Sequence, residues 1–216
     1  MNKQNNTDFF INDLITRHSK LESSRDSIAA AAEMLIESAE KDGKFLICGN
    51  GGSSADADHI VGELMKGFVL PRSLNQAQKE ALTRVGGEQG TEMAEHLQQG
   101  IPAISLSSHT ALNTAFLNDV EPSLVFAQQV MGYGKPGDIF WGISTSGNST
   151  NVAAAAIAAK ACGLKTLAMT GRDGGRLNEI CDICIKVDEK ETFKIQELHL
   201  PVYHSLCLII EDFFFA

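Results

Sequence analysis

The chain has 216 residues, 44% of them hydrophobic, and a formal net charge of −9. That length supports one sizeable core, in a single domain or a domain with an appendage. The charge argues against a nucleic-acid surface, which would carry a basic stripe, but allows a small anionic ligand, because helix N-termini hold phosphate without net positive charge.

The opening stretch MNKQNNTDFFINDLITRHSKL lacks the basic flank, apolar centre and small-residue cleavage site of a signal peptide. No apolar run approaches the roughly 20 residues that cross a bilayer, so no membrane partner is expected. Cysteines are five, an odd count, and Cys48, Cys162 and Cys207 sit in apolar or helical surroundings. Reduced thiols and a cytoplasmic location follow. Cys181 and Cys184 form a lone CxxC. Without a second pair it reads as a strand and its approach, not a zinc knuckle.

From Thr7 to about Glu40 the apolar residues recur at spacings of three and four, as in Phe10, Ile11, Leu14, Ile15 and again Ile28, Ala32, Leu35, Ile36. Two helices broken near Ser23-Ser24 are expected. FLICG is fit for a buried strand. A helix follows the glycines after it. Residues 72–100 are polar with Gly86-Gly87 in the middle, and predict two short amphipathic helices inserted on the surface. PAISLSS is the next strand, followed by helices around Ala111–Leu117 and Ser123–Tyr133. GDIFWGIST, LKTLAMTG and DICIKV are strands, alternating with helices in NSTNVAAAAIAAKACG and GGRLNEI. Thr192–Phe215 is a long helix containing Pro201.

Apolar strands alternating with helices build βαβ units. The fold class is therefore α/β: a three-layer αβα sandwich on a five-stranded parallel sheet, with an N-terminal helical extension over 1–40. Ligands of such sheets bind beyond the carboxyl ends of the strands. Two loops there are chemically distinctive.

The first is Gly49-Asn50-Gly51-Gly52-Ser53-Ser54. Gly51 and Gly52 permit positive φ and close approach of the backbone, and a helix starts at once, aiming free N–H groups at the loop. A dinucleotide fingerprint is rejected: Ser54 stands where the third glycine belongs, and no strand-end acid follows about 20 residues on. A tight turn capped by Ser53 is the plainer alternative. The second loop is ISTSGNS, Ile143 to Ser149. Ser144, Thr145, Ser146 and Ser149 place four hydroxyls around Gly147, a phosphate nest without lysine. Capping and turn chemistry explain one or two hydroxyls, not four. Two such loops in one sheet point to a phosphorylated polyol.

His59 and Glu63, four apart, share a helix face that begins one to two turns beyond the first loop, close to whatever the loop binds. The last helix carries Gln196, Glu197, His199 and His204 among Ile195, Leu198, Leu200, Val202, Leu206 and Leu208. Gln196 and His204 are eight apart, about 12 Å on an ideal helix. Either Pro201 bends that helix, or the two side chains serve sites in different subunits.

Together, CGNGGSSADADHIVGEL, ISTSGNS, LKTLAMTGRDGGRL and IQELHLPVYHSLC resemble the sugar isomerase (SIS) domain family, and within it the phosphoheptose isomerases. The resemblance runs from about residue 25 to 212, except for the insert at 72–100, and makes 1–216 a single SIS domain. It implies that Asn50, Gly51, Gly52 and Ser53 touch the sugar, with Asn118 and Asp119 of FLND. Ser144, Thr145, Ser146 and Ser149 would bind the phosphate. His59, Glu63, Gln196 and His204 match residues that hold Zn2+ in some members, with Glu63 and His204 as the acid–base pair and Gln196 also at the substrate. A homotetramer with sites between subunits is implied. The chain departs from the pattern at the insert, at Phe193, where many members have a polar side chain, and at Pro201. The reaction so implied is conversion of sedoheptulose 7-phosphate to D-glycero-D-manno-heptose 7-phosphate through an enediol. The competing readings are an isomerase for another sugar phosphate and a non-catalytic protein that binds a phosphosugar.

Overall fold

A computed structural model describes residues 6–216. Five parallel strands form the sheet, in the order β2-β1-β3-β4-β5: β1 is Phe45–Cys48, β2 Ala103–Ser105, β3 Ile139–Ile143, β4 Lys165–Thr170 and β5 Ile183–Lys186. The αβα architecture read from the sequence is borne out. Strands β1 and β3 are buried at every position, as expected where helices cover both faces of a parallel sheet.

One face packs α1 (Thr7–Arg17), α2 (Arg25–Ala39), α3 (Gly52–Met65) and α9 (Thr192–Phe215) over Phe45, Ile47, Trp141, Leu167 and Met169. The other packs α6 (Val125–Tyr133) and α7 (Thr150–Ala161) over Leu46, Cys48, Phe140 and Ala168. Alternate residues of each strand thus feed opposite cores. A 3₁₀ turn at Ser19–Ser24 makes the expected break between α1 and α2. Smaller helices α5 (Thr110–Asp119) and α8 (Gly175–Ile180) follow β2 and β4.

Segment 72–100 is a helical hairpin. Helix α4, Gln76–His96, folds back on itself at Gly87, whose φ of 58° and ψ of −129° interrupt it. A Cβ on Gly90 would lie 2.0 Å from the Leu82 carbonyl oxygen, so glycine is what lets the two arms touch. The neck is closed by an antiparallel bridge between Ser73 and Gln98. Asn75 and Gln78 form a capping box at the start of the first arm.

Helix α9 runs unbroken through Pro201. By length and composition it could cross a membrane, with a mean hydropathy of 1.2 over its most apolar stretch, but 56% of that stretch is buried inside the fold. It is a core helix, and its scattered charges, Glu197 and Glu211 among them, hid its overall apolarity in the sequence.

Arg72 and Glu211 form an ion pair with side chains 0% and 1% exposed and an N–O distance of 2.8 Å. Arg72 also donates to the carbonyls of Leu64 and Glu63, at 2.7 and 3.0 Å, and so closes the end of α3. Glu211 accepts the backbone N–H groups of Phe68, Val69 and Leu70. Burial pushes the Glu211 carboxyl up, but these N–H groups and Arg72 outweigh it and hold it below the usual range.

Candidate active site at the switch point of the sheet

From β1 the chain winds outward to β2, then crosses to β3 on the other side of β1. The winding direction therefore reverses between β1 and β3, the place where ligands of open α/β sheets bind. Cys48 is in register with Gly142, so the loops that leave the two strands start at nearly the same level. They are the glycine loop and the serine loop.

In the glycine loop, Gly51 takes φ 56° and ψ −121° and starts α3 with no side-chain cap. Ser53 is buried and does not cap the helix with its side chain; its backbone N–H closes a tight turn onto the Asn50 carbonyl at 3.1 Å. In the serine loop, Ser149 starts α7 without capping it; its hydroxyl lies 2.9 Å from that of Ser144. Ser146 Oγ accepts the Asn148 N–H at 3.1 Å, while Thr145 gives its carbonyl to Gly171. Gly147 has a φ of 66°, and a Cβ there would fall 1.9 Å from the Gly174 oxygen. The loop after β4 braces this turn through Arg176 N–H to Asn148 Oδ1 and Leu177 N–H to the Gly147 carbonyl.

Asn151, on the first turn of α7, ties the two loops together. It exchanges amide hydrogen bonds with Asn50, 2.9 Å in each direction. A pocket of about 240 Å³ opens beside them, walled by Gly49, Asn50, Ser54, Ser107, Asn113 and Asn151, with Leu117. Asn118 and Asp119 do not reach this wall within one chain. They lie exposed at the end of α5, where Asn118 Nδ2 donates to Asp119 Oδ1 at 2.8 Å.

A second polar cluster lies where α3 and α9 run side by side. His59 Nε2 is 3.1 Å from Glu63 Oε1, and Lys66 is 3.2 Å from Glu63 Oε2. The rings of His59 and His204 meet edge to face with centroids 5.0 Å apart. His204 Nε2 is buried without a partner. Burial, and then the neighbouring His59, push the His204 imidazole below its ordinary range. Tyr203 joins His59 Nδ1, at 2.9 Å, to Asp56 Oδ1, at 3.3 Å. Burial raises the Asp56 carboxyl despite the Tyr203 hydrogen bond and the nearby His59.

Gln196 belongs elsewhere. A Cβ on Gly52 would be 2.5 Å from its Nε2, so Gln196 lies on the glycine loop, two turns from His204. His59 and Glu63 lie further along α3, beyond the glycine loop. Seven and eleven residues of ideal helix put them about 10 and 16 Å beyond Gly52. Within one chain the structure thus makes two half-sites: the two loops with Gln196, and the cluster of His59, Glu63 and His204.

Two imidazoles and a carboxylate are ordinary zinc ligands, and the orphaned His204 Nε2 is a donor in search of a partner, so the donor chemistry fits. Among the described residues, however, no three His, Cys, Asp or Glu side chains are gathered tightly enough to hold a metal ion. Cys181 and Cys184 are free thiols. Burial pushes Cys181 up to about 12 and also raises Cys184, which suits packing and not thiolate chemistry.

Asn151, Asp56 and Tyr203 were missed in the sequence. Asp56 stands one helical turn before His59, so the spacing that paired His59 with Glu63 could have found it. Nothing marked Asn151 beyond its place after four hydroxyl residues.

Fold and site are those of an α/β protein with a glycine-rich and a hydroxyl-rich loop at the switch point of its sheet and titratable side chains on the adjoining helices. The chain belongs to the SIS domain family, whose pattern matches residues 10–86 and 76–171. The two matched segments meet in the hairpin. A phosphoheptose isomerase of Helicobacter pylori (strain P12) is 40% identical over 194 residues, 90% of this chain and 88% of that protein. Among solved structures, a phosphoheptose isomerase from Francisella tularensis superposes with a TM-score of 0.74 and 30% identity, over 94% of each chain. That of Neisseria gonorrhoeae gives 0.72 and 32%, over 93% of this chain and 94% of the other. By this kinship the chain is an enzyme of the aldose–ketose isomerase kind.

Proposed function

We propose that the protein interconverts sedoheptulose 7-phosphate and D-glycero-D-manno-heptose 7-phosphate. The observation that carries this reading is the pairing of glycine and serine loops across the switch point, joined by Asn50 and Asn151. In it, Ser144, Thr145, Ser146 and Ser149 receive the phosphate with the N–H groups of α7. Asn50, Gly51, Gly52 and Ser53 contact the sugar, with Gln196 above Gly52. Asn118 and Asp119 reach the substrate when the exposed α5 closes on it.

Glu63 takes the proton from C1 of the ketose. The electron pair forms the C1–C2 double bond while the C2 oxygen gains a proton from His204, giving the enediol. Loss of the O1 proton to His204 and return of the carbon proton from Glu63 to C2 give the aldose. Because the half-sites of one chain lie about 10 to 16 Å apart, a complete site combines the loops of one subunit with the cluster of another, in a homotetramer. The exposed Met65, Phe193 and Leu200 on α3 and α9 supply apolar surface for such contacts. For His59, Glu63 and His204 to hold zinc together with Gln196 of the partner subunit, these side chains would have to draw closer than they stand in the single chain; the metal would then polarise the substrate oxygens.

The test is a proton NMR spectrum of sedoheptulose 7-phosphate with the protein in D2O. Deuterium at C1, or aldose signals, supports enediol chemistry on this sugar. An unchanged spectrum with and without zinc sinks this assignment in favour of another sugar phosphate or of binding alone.

A further inference from the structure

The sugar pocket has a third wall that the reaction above does not use. It is formed by the loop after β2 and the first half of α5, which place Ser107, Asn113 and Leu117 beside the glycine loop. Ser107 Oγ donates to the Gly49 carbonyl at 3.3 Å, and Ser108 Oγ donates to Asp58 Oδ1 on α3 at 2.6 Å. Helix α5 itself is barely embedded. Of its ten residues only Asn113 and Phe116 are half-buried, and the rest are exposed.

Asn113 is the polar anchor of the two, and Gln129 of α6, only 2% exposed, holds it. Gln129 Nε2 donates to the Leu106 carbonyl at 2.9 Å and to Asn113 Oδ1 at 2.8 Å, with a longer contact of 3.3 Å to the Val125 carbonyl of its own helix. Asn113 Nδ2 donates to the carbonyls of Leu106 and Ser107, at 3.3 and 2.9 Å. A backbone carbonyl can only accept. Both amides therefore turn their NH2 groups toward the loop, which leaves Asn113 Oδ1 to face Gln129. Both N–H bonds of Asn113 are spent on the loop, so this side chain is a strut of the wall and not a donor to the sugar.

We propose that Gln129 is a positioning residue for the substrate: through Asn113 it fixes the β2 loop and the start of α5 against the glycine loop, and so sets the pivot from which Asn118 and Asp119 reach the sugar. The anchoring stands on the hydrogen bonds alone, whereas its role in turnover rests on the isomerase reading.

Two substitutions break this connection from opposite ends. Gln129→Met keeps the length of the side chain and fills its buried place. It strands no buried group, because the Leu106 carbonyl still accepts from Asn113, and Asn113, half-buried, can turn its oxygen to water. Asn113→Ala removes the strut itself and leaves the core side of α6 untouched.

The experiment is amide hydrogen exchange of the full chain, beside steady-state kinetics on sedoheptulose 7-phosphate. The expected result is faster exchange across Thr110–Asp119 in both variants, with α7 exchanging as in the wild type. In both, kcat/KM should fall on the order of 10- to 100-fold. Inhibition by inorganic phosphate, which reads the serine loop alone, should stay as in the wild type. The double variant should be no worse than the weaker single one, since the two residues act through one connection. Unchanged exchange across α5 in both variants overturns the proposal. So does exchange that rises throughout the chain in Gln129→Met while Asn113→Ala stays as the wild type, for Gln129 would then be a core residue and nothing more. Losses that add in the double variant overturn the action through Asn113, and faster exchange with full kcat/KM overturns the role in turnover. A wild type that turns over no substrate overturns the isomerase reading instead, and the exchange data alone then decide the anchoring.

Discussion

Asn50 and Asn151 grip each other through two amide hydrogen bonds of 2.9 Å, one in each direction, across the gap between the β1 and β3 loops. Asn50 is exposed and Asn151 half-buried, so the pair adds little to stability, about 1 kcal/mol. Its effect is to hold the glycine loop at a fixed distance from the phosphate hydroxyls. Asn151→Ala should therefore raise KM for the sugar phosphate about tenfold and shift the urea midpoint only slightly. Steady-state kinetics beside urea unfolding checks this. A large loss of stability with unchanged KM would refute it.

The serine loop depends on a residue that cannot carry a side chain. Gly147 combines a positive φ with a Cβ position 1.9 Å from the Gly174 oxygen. Gly147→Ala should cost about 1–3 kcal/mol, moving both loops. Ser149→Ala should keep the fold and lose one hydroxyl. The check is protection against thermal unfolding by sedoheptulose 7-phosphate: absent in Gly147→Ala, reduced in Ser149→Ala, full in the wild type.

Glu63 is the assigned base, and its charge, not its shape, matters. Glu63→Gln keeps the volume and should lower kcat by about 10²- to 10⁴-fold. Substrate binding should persist, since the phosphate is held by the serine-loop hydroxyls and the N–H groups of α7 and the glutamine keeps the shape of the side chain. Calorimetric titration with the sugar phosphate separates the two effects. Full turnover in this variant would remove Glu63 from the mechanism.

Much of this arrangement was legible because local signals agree. Buried strands alternate with helices, Gly86-Gly87 divides the hairpin, and hydroxyls crowd around Gly147, each set by spacing or by backbone freedom. The strand order was not legible, and with it the switch point, since no local pattern says that β2 lies outside β1. Nor was Arg72–Glu211, which joins residues 139 apart in sequence. The split between Gln196 and His204 was legible from helix geometry alone.

The Arg72–Glu211 pair predicts a large and asymmetric stability effect. Removing one partner leaves a buried charge, which costs about 3–5 kcal/mol. Glu211→Ala also strips three backbone N–H groups of their acceptor and frees the segment that leads into the hairpin. Its denaturation midpoint should drop well below that of a surface control such as Glu80→Ala. Equal midpoints would show that water enters and solvates Arg72.

His199 supplies the pH dependence. It is fully buried, donates Nε2–H to the Thr170 carbonyl at 3.2 Å, and leaves Nδ1 without a partner. Burial lowers its pKa to about 4, against 6.5 for the free side chain, although the Thr170 bond pulls the other way. The unfolded chain therefore binds a proton that the folded chain refuses between those values. Stability is full above pH 6.5 and is lost as the pH falls toward 4, by up to about 3 kcal/mol at the lower end. Replacement by asparagine, which can still donate to Thr170, should flatten that slope between pH 6.5 and 5, before most carboxylates titrate. Urea unfolding of both proteins across this range gives the comparison. Parallel curves would mean that the folded protein protonates His199 as readily as the unfolded chain.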